Sequence, residues 1–150
     1  MIRHEEYQTI IDTYIQNYDK YKEGKIEFEY IYGELIFMKE DNVNKKITNK
    51  KITNKKNKNI VLFGIYIYPE YRRQYLCRDI LCYLIDACIT YNNSGSPLFK
   101  IHQVVITSVL SKILYEYLQR FRYHQHTFIE TTQGWKYPLH TNSSNSSWVK

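Results

Sequence analysis

At 150 residues the chain has room for one domain with a proper core and is short for two. Its formal charge of +6 points first to nucleic acid, yet residues 41–58 alone hold 7 Lys and 1 Asp, which leaves the remainder with 14 basic and 14 acidic residues. The three cysteines, Cys77, Cys82 and Cys88, form no CxxC pair and are odd in number, which excludes a disulfide framework and a Cys-based zinc site. No apolar run approaches the roughly 18 residues of a spanning helix. MIRHEEYQ does not read as a secretory signal, so a cytoplasmic protein with no membrane association is expected, and the sequons at Asn142 and Asn145 read as chance products of a Ser/Asn-rich tail.

The elements follow in chain order. Tyr7, Ile10, Ile11, Tyr14, Ile15 and Tyr18 recur at helical spacing, and Gly24 is the expected stop. Ile26, Phe28 and Tyr30 alternate with glutamates before an interruption at 32–34, which predicts a β-hairpin turning at Gly33. The stretch Lys45–Lys58 repeats KITNK in tandem and has nothing to bury, so a disordered loop is expected over about 41–58. Residues 60–68 are apolar and β-branched and predict a central strand covered on both faces, stopped by Pro69.

A helix follows over Leu76–Cys88, fading near Tyr91. His102–Thr107 predicts a short strand, and Val109–Phe121 a second helix capped by Thr107 or Ser108. Tyr123–Leu139 reads as a closing antiparallel pair with a turn at Gln133-Gly134 and with His124 and His126 on one strand face. Those two histidines lack a third ligand at useful spacing, so no metal site is expected. A single folded unit over 1–140 and a flexible tail over 141–150 complete the reading, and an edge strand near the C-terminus would be open to pairing with a second copy in a homodimer.

Strand, tight turn and helix in immediate succession place unpaired N–H groups and a positive helix end at one point, where an anion is favoured. Here the turn carries Arg72, Arg73 and Arg78, which would add charge-assisted contacts to a pyrophosphate.

The segment IYIYPEYRRQYLCRDILCYLI resembles the acetyl-coenzyme A motif of the GNAT superfamily of N-acetyltransferases, with Ile67, Pro69, Tyr71 and Arg72 in place. ITSVLSKILYEYLQRFRYH is similar to the family's next strand and helix, with Leu114-Tyr115-Glu116 where that motif has it. The order of elements is similar too, shortened at the N-terminus. The resemblance implies an α/β (α+β) fold with a mixed, mainly antiparallel twisted sheet flanked by helices, and acetyl-coenzyme A as co-substrate. It implies a cofactor cradle at Ile65, Ile67, Arg72, Arg73, Gln74, Tyr75, Leu76, Cys77, Arg78 and Ser108. Backbone N–H groups near Ile65 to Ile67 would meet the oxyanion and Tyr115 would protonate the leaving thiolate.

The family's two small residues are replaced by Tyr75 and Cys77, its frequent Asn by Ser108, and its Gly-Phe after the helix by Gln119-Arg120-Phe121. Glu29, Glu34 and Glu70 are general-base candidates by chemistry alone. Three functions stay open. They are transfer of acetyl to an amine of a small molecule or protein, a catalytically degenerate binding module with Tyr75 filling the cofactor groove, and nucleic-acid or acidic-partner binding through Lys45–Lys58.

Overall fold

The computed structural model describes residues 5–40, 57–72, 75–95, 97, 99–109 and 111–139. Helix α1 spans Glu5–Gln16, strands β1 and β2 Gly24–Tyr30 and Gly33–Lys39, and β3 Asn57–Ile67. Helix α2 (Leu76–Asn92), β4 (Lys100–Ile106), α3 (Lys112–Arg120), β5 (Ile129–Thr131) and β6 (Gly134–Pro138) follow. The fold is mixed α+β, with six strands in the order β1-β2-β3-β4-β6-β5. Its β3–β4 pair is parallel and the other four pairs are antiparallel. Among the described residues no helix is long and apolar enough to cross a membrane.

The apolar stripes of the three helices meet one face of this sheet. Tyr14 of α1 stacks on Phe37 of β2 at 4.2 Å, Tyr7 reaches Tyr83 of α2, and Tyr115 of α3 meets Trp135 of β6 edge-on. Leu35, Phe37, Ile60, Leu62, Val104 and Ile106 supply the sheet side of that core. The excess of tyrosine is therefore largely packing. It has a cost: among the described residues the buried hydroxyls of Tyr14 and Tyr30 meet no hydrogen-bond partner, each a penalty of about 1–3 kcal/mol.

Several boundaries differ from the sequence reading, each for a physical reason. Helix α1 stops at Gln16 and a 3-10 turn over Tyr18–Lys20 follows, held by the buried Lys39, whose Nζ donates to Tyr18 O and Tyr21 O. Gly24 instead opens β1, with φ of 116°. The hairpin turns at Ile31-Tyr32, and Gly33 is the first residue of β2, where a Cβ would fall 1.8 Å from Tyr66 O. Strand β3 begins at Asn57, so Asn57 and Lys58 leave the expected loop; the rest of that loop, 41–56, and the tail at 141–150 lie outside the described residues.

Strand β3 is central, but among the described residues no helix covers its second face: Val61 is buried, while Tyr66 is 45% exposed. His124 and His126 do not share a strand. Tyr123 and His126 bridge, with His124 and Gln125 both at positive φ in the tight turn between them, and His124 Nε2 contacts Asp86 of α2 at 2.9 Å. The cap of α3 is Ser111, whose hydroxyl accepts from Leu114 N–H, rather than Thr107 or Ser108.

Candidate functional site

The parallel strands β3 and β4 part company. Their ladder runs from Asn57↔Lys100 to Leu62↔Ile106, closed by Thr107 N–H donating to Leu62 O at 3.1 Å, and β4 ends there. Strand β3 continues to Ile67, paired among the described residues only with β2. A gap therefore opens beside residues 63–67.

A bulge decides which backbone groups face it. Ile36 pairs with Gly64 but Phe37 pairs with Leu62, so Phe63 is an extra residue in β3. Below it Leu62 turns its carbonyl to β4; above it Tyr68 N–H donates to Tyr32 O on the β2 side. By alternation Gly64 and Tyr66 bond toward β2, and Ile65 and Ile67 turn their N–H and C=O groups to the gap. Without the bulge these two residues would face β2.

A 3-10 turn over Pro69–Tyr71 leads from β3 to α2. Arg72 folds back over it: its Nε donates to Ile67 O at 2.6 Å and its guanidinium lies over the Tyr66 ring. Arg73 and Gln74 lie outside the described residues. Tyr75 is the N-cap of α2 in the left-handed region, φ 63°, with no side-chain cap bond. A non-glycine residue there is strained by roughly 1 kcal/mol, which is the physical sense of a small residue at this point. Its ring is 80% exposed, so Tyr75 does not fill a groove.

The first intrahelical bond of α2 runs from Asp79 N–H to Tyr75 O, so the N–H groups of Leu76, Cys77 and Arg78 precede the ladder at the positive end of a 17-residue helix. Leu76 itself is buried in the core. Burial pushes the Cys77 thiol up to about 12, which keeps it protonated and unreactive. Arg78 lies over the rings of Phe121 and Tyr123, toward α3 and the turn that follows it.

Just past the end of β4, Thr107 carries a buried hydroxyl with no partner among the described residues, and Ser108 sits at φ 56°. Strained backbone at Tyr75 and Ser108 thus marks the segments following both parted strands. Tyr115 is turned to the β5–β6 hairpin: its hydroxyl donates to Glu130 at 3.1 Å, and that bond raises its pKa. Glu29 and Glu34 lie opposite each other in the hairpin, Glu29 accepting from Tyr68 Oη at 2.9 Å, and Glu70 is exposed in the 3-10 turn.

The structure thus brings Ile65, Ile67, Arg72 and the first turn of α2 together at one strand end. It adds three features that periodicity does not signal: the bulge at Phe63, the orphan Thr107 hydroxyl and the Glu130 partner of Tyr115. Among the described residues no group of acidic, histidine or cysteine side chains could hold a metal ion.

No family model, no curated protein and no solved structure matches this chain.

Proposed function

We propose that the chain is an acyltransferase that moves an acetyl group from acetyl-coenzyme A to an amine, the activity expected of the GNAT superfamily it resembles. The observation that carries this reading is the parting of β3 from β4 beside a bulge, which leaves Ile65 and Ile67 N–H groups facing a gap next to the α2 N-terminus.

Acetyl-coenzyme A would supply an activated thioester and a pyrophosphate for anchoring. The N–H groups of Leu76, Cys77 and Arg78 would hold phosphate oxygens, because their intrahelical acceptors do not exist and the helix dipole favours negative charge. Arg72 stands at the same turn and can keep one nitrogen on Ile67 O while offering the others. One of the Ile65 and Ile67 N–H groups, which stand about 6.6 Å apart along the strand, would donate to the carbonyl oxygen as charge develops on it, a preorganised contact of the kind that lowers an acyl-transfer barrier.

Tyr115 holds the proton that the reading needs, at a hydroxyl kept protonated by Glu130. To donate it elsewhere the hydroxyl must leave Glu130. That contact favours a second reading, a module that binds the coenzyme and turns it over slowly or not at all.

Calorimetric titration with acetyl-coenzyme A tests the main reading. Micromolar binding that weakens by about tenfold in Arg72→Ala, the scale of one charge-assisted hydrogen bond, is the expected result. No saturable binding up to millimolar concentration overturns both readings. Binding without acetyl transfer to any amine in a broad screen selects the second. Nucleic-acid binding through Lys45–Lys58 is a separate matter, addressed by deleting 44–58 and measuring retention at low salt.

A further inference from the structure

Tyr115 stands at the level of the gap but turns away from it across the sheet. Four register partners lie in one line there: Leu62 of β3, Ile106 of β4, Trp135 of β6 and Glu130 of β5. Leu62 and Ile106 are the last pair before β3 and β4 part. Tyr115 packs edge-on against Trp135 with ring centroids 5.2 Å apart, which puts it beside β6, one strand spacing of about 4.8 Å from β4. From that position its hydroxyl has two directions open to it, inward past β4 to the gap or outward to β5. It is held outward, donating to Glu130 Oε1 at 3.1 Å.

The two ends of this contact differ. Trp135 is buried and fixes the ring, whereas Glu130 is exposed on a strand of three residues that pairs, among the described residues, only with β6. The turn beside it is closed by Thr131, whose hydroxyl donates to Gly134 O and accepts from Gln133 N–H. Glu130 can therefore leave Tyr115 for water with the core and the turn's own bonds intact. While it stays, its carboxylate holds the proton that the phenol would give, which raises the Tyr115 pKa.

We infer that Glu130 is an autoinhibitory latch, a positioning residue that keeps the Tyr115 hydroxyl on the outer side of β6. The inference rests on the acetyl-transfer reading, in which Tyr115 supplies a proton. When the acetyl carbon bonds to an amine or to water, its bond to sulfur breaks and the electron pair leaves on sulfur. Tyr115 gives that sulfur its proton, and the proton shed by the nucleophile restores the tyrosine. Only an unlatched hydroxyl can take this step, so the latch sets the share of molecules that is competent at any moment.

The test follows coenzyme A released from acetyl-coenzyme A by the purified chain, in buffer alone and with spermidine or a lysine peptide added, so that hydrolysis registers where neither amine is accepted. Glu130→Ala is expected to raise kcat about threefold, the scale of one exposed hydrogen bond, with KM for the coenzyme unchanged. Glu130→Gln, which keeps an acceptor but not the charge, should raise it less. In a Tyr115→Phe background, Glu130→Ala should leave kcat where it was. An ultraviolet pH titration adds a readout free of turnover: taken as the difference from Tyr115→Phe, the ionisation of Tyr115 should move to lower pH in Glu130→Ala. An unchanged or lower kcat in Glu130→Ala, a gain that survives in Tyr115→Phe, or a Tyr115 ionisation that stays put overturns the latch. Calorimetric titration with acetyl-coenzyme A separates this failure from that of the reading itself. No binding by parent or variant overturns both, whereas retained binding without the gain in kcat overturns the latch alone.

Discussion

The two halves of β3 are made of similar residues and live in different surroundings. From Asn57 to Leu62 the strand is paired on both sides, and Ile60, Val61 and Leu62 are buried. From Phe63 to Ile67 it is paired on one side and only half-buried, and Tyr66 is 45% exposed. An apolar, β-branched sequence is thus used first to hold the sheet and then to present backbone donors to a gap. One inserted residue, Phe63, marks the change. One strand thus has a half locked into the sheet and a half with one edge left open, and different residues make up each.

The sharpest way to break the comparison is at Gly33, where β2 grips the open half. Gly33→Ala would drive a methyl to 1.8 Å from Tyr66 O and should cost about 3 kcal/mol or more, read as a lower denaturation midpoint. If the variant is as stable as the parent, the close approach of these strands is wrong. Next in size is a matched pair of truncations. Leu62→Ala in the closed half should cost about 3 kcal/mol, whereas Ile67→Ala in the open half should cost about 1 kcal/mol or less. Equal losses in chemical denaturation would mean that both halves are core.

A third expectation concerns alkali. Burial raises Cys77 from 9.0 and Tyr7 and Tyr137 from 10.0, each to about 12. Because the folded state keeps these protons longer than the unfolded chain, their contribution is complete below pH 9.0 and is lost as the pH climbs toward about 12. Denaturation midpoints should hold level to pH 8 and then fall. A midpoint that stays flat through pH 11 would place these side chains in solvent.

The smallest effect is at the α2 cap, where Tyr75→Gly should raise stability by up to about 1 kcal/mol, since glycine takes φ of 63° without strain. A loss instead would show that the exposed ring makes contacts of its own.

How far the sequence reveals this follows the same division. Helix α2 was legible because Leu76 to Cys88 repeats one apolar stripe, and the closed half of β3 because a run such as Ile60-Val61-Leu62 is hard to place anywhere but in a sheet. The cap of α3 was not, since Thr107, Ser108 and Ser111 all have the right chemistry and only the backbone path selects Ser111. Gly33 looked like a turn residue, but the carbonyl of Tyr66, a strand neighbour in β3, demands it. The histidine pair was misread because alternation of residues 124 and 126 looks the same in a strand and in a tight turn. Of the candidate site, the arginine-bearing turn and the helix start could be anticipated; the bulge that aims Ile65 and Ile67 is a register effect, set by β2 and silent in β3 itself.

Amide chemical shifts test most directly the proposal that this gap holds acetyl-coenzyme A. On adding the coenzyme to labelled protein, the amides of Ile65, Ile67, Leu76 and Cys77 should move, while those of Ile60 and Leu62, tied into the closed half, stay put. Shifts confined to other surfaces, or none at millimolar coenzyme, would contradict the account.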